Sequence, residues 1–222
     1  MFVLQKQKSC SMKNVLFIFI VGLSLVSCAQ QSNNNAVSKT IDHNLDKFQV
    51  AYFASGCFWC VEAVYESVIG VYAVVSGYSG GVKKNPTYEE VCTGKLKHAE
   101  AVKVYYDSSI VDFETLVDVF FNSHDPSQKN AQGPDHGPQY RSIAFYSTAD
   151  EKVIIERKIG VLRKARTWSQ ITTEVTPFEI FYPAEDYHQN YERLHPDQPY
   201  LRRVSIPRLN QFKKKMPEVL KH

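Results

Sequence analysis

The sequence predicts an α/β fold of the α+β sandwich type, in which a mixed sheet packs against helices and long loops follow the strands. The first reason is that segments of strand and helix periodicity alternate along most of the chain. The second is composition, because 44% of the 222 residues are hydrophobic and 13% are aromatic, enough for a sizeable core. The third is that no internal repeat is visible, so the length suits one domain with appendages.

The first half of the body contains a strand–helix–strand unit. The apolar run 48–54 predicts a strand, which the pair Ser55–Gly56 breaks. Residues 57–68 place their apolar side chains on one helical face, and Gly70 ends that helix. Residues 71–78 then predict the second strand. Such a unit is the usual nucleus of a layer in which helices cover a sheet.

The remaining elements follow from the same patterns. Residues 99–106 alternate between apolar and polar side chains and predict a strand, and Asp112 is placed to cap the helix that follows it. The other predicted segments are a short helix from Asn85 that stops at Gly94, a loop over 125–138, a strand over 140–146, a helix over 151–166, a strand over 171–175, a short helix over 186–193 and a terminal helix within 207–220.

Residues 1–28 have the pattern of a lipoprotein signal peptide. Lys13 precedes a short apolar run, which is too short to cross a membrane comfortably. The run ends in Leu25–Cys28, a segment that resembles the bacterial lipobox, whose cysteine is acylated. We therefore expect an exported, membrane-anchored lipoprotein of the bacterial cell envelope, lipidated at Cys28 and facing the periplasm or the cell surface. The alternative is a plain signal peptide in which this cysteine is incidental.

Composition divides the rest of the chain into three parts. Residues 29–47 are rich in Asn, Gln and Ser and predict a flexible tether, and residues 48–200 predict the main domain. Residues 201–222 contain seven Lys and Arg residues against one Glu and predict a basic C-terminal extension, most simply a solvated face.

Without the three lysines of the signal segment, the formal charge of +3 falls to zero. A neutral body argues against general nucleic-acid binding.

Three cysteines remain in the body: Cys57, Cys60 and Cys92. An odd number in an exported protein indicates at least one reactive thiol. Cys57 stands at the first turn of a helix, where unpaired N–H groups favour a thiolate, so its pKa should fall below about 8.5. Cys60 lies three residues further on, a spacing typical of redox pairs. Cys92 is expected to be a core thiol.

Six sequence blocks resemble, in order, those of the A-type peptide methionine sulfoxide reductases. The blocks are Gly56–Trp59, Gly77–Gly81, Asn85–Tyr88, His98–Val102, Asp135–Ser142 and Ala184–Gln189. Each block alone is a weak signal, but the ordered set is specific and spans about residues 50–191. We accordingly expect a ferredoxin-like core with long loops, and we interpret residues 48–200 as the catalytic domain.

The resemblance implies reduction of methionine S-sulfoxide, free or within proteins, and hence repair of oxidised proteins. Cys57 would attack the sulfoxide sulfur and become a sulfenic acid. Glu100, kept protonated by burial, would supply the proton for the leaving oxygen. No cofactor and no metal are expected beyond an external thioredoxin-like reductant. The alternatives are an inert buried cysteine and an outward-facing strand glutamate.

The same resemblance implies a substrate pocket. Tyr88 and Tyr140 would hydrogen-bond the sulfoxide oxygen, and Phe58 and Trp59 would enclose the S-methyl group. Asp135 would orient the substrate amide or a water molecule. Taken singly, the four aromatic residues could equally be packing residues, and the aspartate could be a turn former.

Regeneration of the nucleophile is expected to involve its neighbour. Family members often use resolving cysteines in a C-terminal tail, but no cysteine follows Cys92 here. Cys60, at a position where the family often has glycine, would form a Cys57–Cys60 disulfide that a thioredoxin-like reductant opens. The alternative is that Cys60 only packs and the reductant attacks the sulfenic acid directly. The expected partners are oxidised proteins or peptides, free methionine sulfoxide, this reductant and a membrane, with the protein a monomer.

Two other classes of protein share part of this pattern. A Cys-x-x-Cys motif that opens a helix is also typical of thiol–disulfide oxidoreductases, which need neither a buried glutamate nor paired tyrosines. A zinc site made by Cys57 and Cys60 with His98 or His124 is conceivable, but the histidine spacing fits no compact site.

Overall fold

Strands of both orientations form the centre of the computed structural model, which describes residues 45–221. In chain order the strands are β1 (Gln49–Ser55), β2 (Val71–Ser79), β3 (Ala99–Tyr106), β4 (Ala131–Gln132), β5 (Asp135–His136), β6 (Ser142–Tyr146), β7 (Glu174–Pro177) and β8 (Phe181–Pro183). Six of them form one sheet in the order β7-β6-β1-β3-β2-β8, and β4 pairs with β5 separately. Only the β6–β7 pair is parallel in the six-stranded sheet.

Helices connect and cover the strands. They are α1 (Phe58–Glu66), α2 (Tyr88–Cys92), α3 (Phe113–Ser123), α4 (Ala149–Ala165), α5 (Tyr191–Leu194) and α6 (Ile206–Lys215). The predicted cap is present at α3, where the Asp112 carboxylate accepts the Thr115 N–H at 2.7 Å. Helix α2 begins with a reciprocal capping box between Thr87 and Glu90. Both helices therefore start where short-range chemistry places them.

The predicted mixed sheet and ferredoxin-like core are confirmed. The sequence β1-α1-β2-β3-α3-β6 forms two split βαβ units whose strands lie in the order β6-β1-β3-β2. Strand β3 lies between β1 and β2 and is antiparallel to both. One apolar cluster joins this sheet to α1 and α3, with Phe53, Val64 and Leu116 fully buried within it. This cluster fixes the carboxyl end of β1 and the first turn of α1 against the sheet.

Several predicted boundaries differ from those observed. The strand predicted at 171–175 lies at Glu174–Pro177, and the helix predicted over 186–193 is divided in two. The extended backbone of Gln189, with a ψ of 136°, ends the 3₁₀ turn, and Asn190, with a left-handed φ of 55°, precedes the second helix. Strand β8 and the β4–β5 ribbon were not predicted. Strand β8 has three residues and each strand of the ribbon has two, which is too short for a periodic pattern in the sequence.

The C-terminal segment is part of the same compact unit, which extends from Lys47. This differs from the expected separate extension over 201–222. Leu201 and Phe212 are buried, whereas Lys213 and Lys214 are exposed, so the segment is an amphipathic cover rather than a tail.

The predicted signal peptide, the predicted lipidation site Cys28 and the predicted tether up to residue 44 lie outside the described residues. Within the described part of the chain, no helix combines the length and hydrophobicity that a membrane crossing requires.

Candidate active site

A tight turn between β1 and α1 presents Cys57. Gly56 makes this turn with a φ of 92°, and a Cβ atom there would lie 2.6 Å from Cβ of Gln132. Only glycine avoids both the backbone strain and the clash. The carbonyl of Cys57 accepts the N–H groups of Cys60 and Val61 at 3.1 and 3.3 Å. Cys57 is thus the N-cap of α1, and its thiol is buried at the end of the sheet.

Glu100 lies under the same turn. Its side chain is on the helix-covered face of β3 with 1% exposure, and Oε2 accepts the Phe58 N–H at 3.0 Å. Burial raises the pKa of Glu100 to about 8, and the nearby charge of Asp135 acts in the same direction. At neutral pH the carboxyl is therefore mainly protonated. The predicted acid is therefore hydrogen-bonded to the residue that directly follows the predicted nucleophile.

The expected direction of the Cys57 pKa is wrong. Burial raises this pKa well above its ordinary value, and hydrogen bonding to Cys60 and the negative charges of Glu100 and Asp135 add to the effect. The helix start does not compensate, because its first N–H is bonded to Glu100 and not to sulfur. Cys60 instead has its pKa lowered to about 7, mainly by the hydrogen bond from Cys57 and further by Arg208. The two thiols are hydrogen-bonded to each other and therefore titrate as a pair.

The aromatic residues after Cys57 form one wall. Phe58 is buried, with its ring centroid 4.9 Å from that of His188 and 6.3 Å from that of Tyr88. Trp59 stacks on Tyr191 at 3.8 Å and donates from Nε1 to Nδ1 of His188 at 3.2 Å. Burial lowers the pKa of His188 to about 4, so the imidazole is neutral and able to accept this bond. The two predicted methyl-pocket residues therefore share a histidine as a packing partner.

The two predicted oxygen-binding tyrosines both lie near Glu100. Tyr88 and Tyr140 are half-buried, and burial together with the Glu100 charge raises the pKa of each phenol well above its ordinary value. Both hydroxyls therefore remain protonated and can donate. Tyr88 is held at the start of α2, where its backbone N–H donates to Glu185 at 2.9 Å.

Asp135 makes a contact that the sequence did not predict. The hydroxyl of Tyr200 donates to its Oδ2 at 2.5 Å and lies 3.8 Å from Sγ of Cys60. Burial raises the pKa of Asp135, while this bond and Arg208 oppose the rise. Asp135 thus connects the side of the site near Glu100 to the second cysteine.

The zinc interpretation has no support in the geometry. Both ring nitrogens of His124 are bonded, to the Phe120 carbonyl and to the Ser142 hydroxyl, and Nε2 of His98 is bonded to the Lys83 carbonyl. Among residues 45–221, no group of three or more His, Cys, Asp or Glu side chains is arranged to hold a metal ion.

Comparison with known proteins identifies the family. The sequence model of the peptide methionine sulfoxide reductase family matches residues 49–220. The chain belongs to this family. It is 46% identical to the peptide methionine sulfoxide reductase MsrA of Saccharolobus solfataricus, over 78% of this chain and 97% of that protein. It is 49% identical to MsrA of Nautilia profundicola, over 74% of this chain and 94% of that protein.

Solved structures agree with this membership. Methionine sulfoxide reductase A of Corynebacterium diphtheriae is 35% identical, with a TM-score of 0.61 over 68% of this chain and 76% of its own. Reduced Mxr1 from Saccharomyces cerevisiae is 30% identical, with a TM-score of 0.62 over 68% of this chain and 87% of its own. The protein is a peptide methionine sulfoxide reductase, and it reduces methionine sulfoxide.

Three residues that contact the candidate site were not predicted from the sequence: His188, Tyr200 and Arg208. His188 lies in the last of the six family blocks, but the neighbouring residues in the sequence do not indicate a role for it. The other two lie at and beyond the predicted end of the domain. Arg208 donates from Nε to the Ser123 carbonyl at 2.6 Å and from a terminal nitrogen to the Ser55 hydroxyl at 3.2 Å. It thereby ties α6 to the turn that carries the cysteines.

Proposed function

We propose that Cys57 is the nucleophile of this reductase and that Glu100 is its acid. The observation that supports this assignment is the 3.0 Å hydrogen bond from the Phe58 N–H to Glu100, which fixes a protonated carboxyl beside the first turn of α1. Cys57 sulfur attacks the sulfoxide sulfur while the oxygen takes up a proton from Glu100. The products are methionine and Cys57 sulfenic acid, so the oxygen atom moves from substrate to enzyme and two electrons move the other way.

A protonated Glu100 also helps the nucleophile. An ionised carboxylate there raises the pKa of Cys57, so a neutral carboxyl removes one of the charges that oppose a thiolate. As the sulfur–sulfur bond forms, negative charge moves from Cys57 onto the sulfoxide oxygen. Tyr88 and Tyr140, whose hydroxyls stay protonated, donate to that oxygen and stabilise the developing charge.

The wall of Phe58 and Trp59 holds the S-methyl group. Its supporting contacts to His188 and Tyr191 fix both rings, so the methyl group meets a preformed apolar surface. Asp135 orients the substrate amide or a water molecule. The S epimer is the substrate, either free or within oxidised proteins and peptides.

Cys60 resolves the sulfenic acid. Its thiol is hydrogen-bonded to Cys57 and has a pKa of about 7, so a substantial thiolate fraction is present at neutral pH. Attack on the Cys57 sulfenic acid forms the Cys57–Cys60 disulfide and releases the oxygen as water, after one protonation. A thioredoxin-like protein then reduces the disulfide. The alternative, direct attack of the reductant on the sulfenic acid, leaves Cys60 without a chemical role.

Turnover of each epimer by four proteins tests these roles: wild type, Cys57→Ser, Cys60→Ser and Glu100→Gln. We expect reductant-dependent turnover of the S epimer only, abolished by Cys57→Ser and reduced in the other two variants. Loss with Cys57→Ser alone would refute the roles given to Glu100 and Cys60. Mass spectrometry after one equivalent of substrate separates the two regeneration routes, because a persistent sulfenic acid with Cys60 still a thiol would contradict resolution.

The protein acts as a monomer that is exported and anchored to a membrane of the cell envelope through an acyl group on Cys28, and it uses no cofactor. The Leu25–Cys28 lipobox supports this anchor. Replacement of Cys28 by Ala should release the protein from the membrane fraction. Unchanged sedimentation with membranes would contradict the anchor.

A further inference from the structure

One cavity of the structure reaches Cys60. It has a volume of about 630 Å³ and lies between the end of α3, the β4–β5 ribbon and the C-terminal segment. Its lining includes Cys60, Asp135 and Tyr200, but not Cys57, Glu100 or the aromatic residues of the substrate pocket. This cavity therefore leads to the sulfur of Cys60, whereas the proposed reaction with the substrate takes place at Cys57.

Three cations line this cavity: Arg203, Arg208 and Lys215. Among residues 45–221, none of the three forms an ion pair with a carboxylate. The donors of Arg208 and Lys215 instead contact backbone carbonyls and a serine hydroxyl. The two carboxylates of the lining, Asp125 and Asp135, are already hydrogen-bonded to protein groups. The lining therefore carries three cations and two carboxylates, a formal net charge of +1, and none of its cations forms a close ion pair with a carboxylate of the described residues.

We propose that this cavity binds a small thiol that carries carboxylate groups, and that the thiolate of this ligand attacks Sγ of Cys60. The proposal rests on the Cys57–Cys60 disulfide of the proposed function. Attack breaks the Cys57–Cys60 bond, forms a mixed disulfide on Cys60 and releases Cys57, which takes a proton from Glu100. A second molecule of the small thiol attacks the mixed disulfide and releases Cys60 thiolate and the oxidised dimer of the ligand.

The size and charge of the cavity support this class of ligand. A volume of about 630 Å³ is within the usual range of small-molecule sites and suits a thiol of the size of a tripeptide. Arg203 is exposed at the cavity, where its guanidinium can pair with a carboxylate in bidentate fashion. Arg208 also lines the cavity and, after the hydrogen bond from Cys57, helps to lower the pKa of Cys60, so it favours departure of the Cys60 thiolate in the second step.

Reduction kinetics of the full-length disulfide form test the charge requirement. The probes are glutathione, which has two carboxylates, and 2-mercaptoethanol, which has none. We expect the double variant Arg203→Gln/Lys215→Gln to slow glutathione about fivefold, the combined effect of two exposed charges, and to leave 2-mercaptoethanol unchanged. The matched control is Arg202→Gln, because Arg202 is exposed and pairs with Asp197 at 3.9 Å but does not line the cavity. Equal slowing of both thiols, or the same effect in the control, would overturn the proposal.

Labelling of the Cys57→Ser variant separates this proposal from the resolution step. Oxidised glutathione should form a mixed disulfide with Cys60 in this variant, more slowly when Arg203 and Lys215 are also replaced. If wild type forms no Cys57–Cys60 disulfide but Cys60 is labelled in this way, resolution fails and the ligand site stands. Absence of labelling at Cys60 would overturn the site itself. The proposal would also be overturned if the double variant slowed reduction by a thioredoxin protein as much as reduction by glutathione. In that case the cations would be contacts for a protein surface.

Discussion

Replacement of Glu100 by Gln tests the acid role directly. The amide is nearly isosteric with the carboxyl, and its carbonyl can still accept the Phe58 N–H, so the first turn of α1 keeps its cap. What is lost is a proton donor whose pKa is about 8. General acid catalysis contributes about 10²- to 10⁴-fold to a rate, so we expect kcat/KM for methionine sulfoxide to fall by about that factor.

The pH dependence of kcat/KM tests the acid role of Glu100 more specifically. In wild type, activity should decline as pH rises through about 8, where Glu100 loses its proton. The variant should have no decline that is attributable to this group. The assay is kcat/KM between pH 6 and pH 9.5 with saturating reductant, in buffers of constant ionic strength. The matched control is Glu62→Gln, because Glu62 is also buried on α1 with its pKa raised to about 7, but it accepts the Asn190 N–H and not a group of the site.

The same group affects stability with a definite sign. The folded pKa of Glu100 is about 8, above its ordinary value of 4.5, so the folded state binds this proton more tightly than the unfolded state. Its contribution to stability is therefore complete below pH 4.5 and is lost as pH rises to about 8. Glu100→Gln should thus have a higher Tm than wild type at pH 9.

A Glu100→Gln variant that retains activity within tenfold of wild type and keeps the alkaline decline in activity would refute the acid role.

Three further perturbations have expected outcomes. Cys60→Ser should leave the first turnover unchanged, measured as methionine released per enzyme, but should slow thioredoxin-dependent cycling and allow sulfenic acid to be trapped; normal cycling would contradict resolution. Tyr88→Phe should lower kcat/KM about tenfold without loss of fold, because Tyr140 still donates to the sulfoxide oxygen; no change would remove its proposed role. Gly56→Ala should cost about 1–3 kcal/mol in urea unfolding, from a left-handed φ and a 2.6 Å clash with Gln132. The control Gly160→Ala meets no atom within 4 Å in α4 and should stabilise the protein.

Local patterns explain how much of the fold the sequence predicts. Strand β3 matches its predicted bounds, because Glu100, Val102 and Val104 alternate toward the helices while the intervening side chains face the other side. Helix α3 matches because Asp112 provides a strong start signal. These elements follow from interactions between residues close in sequence.

Contacts between distant segments explain what the sequence does not predict. The Cys57 pKa is misjudged because the helix-start argument treats the first N–H groups as available to sulfur, whereas Glu100, far along the chain, takes one of them. Tyr200 is missed because its partners, Asp135 and Cys60, meet it only after the C-terminal segment has packed. The periodicity of a sequence does not predict such contacts between distant residues.

The packing of the C-terminal segment has a consequence for biosynthesis. A polypeptide emerges from its N-terminus, so Cys57 and Cys60 are made long before Tyr200 and Arg208, the residues that enclose them. Until the last part of the chain arrives, this thiol pair has neither its hydrogen-bonding tyrosine nor its neighbouring arginine. The enzyme therefore cannot acquire its final cysteine chemistry during synthesis, and a chain cut short near residue 200 would carry both thiols without the environment that controls them.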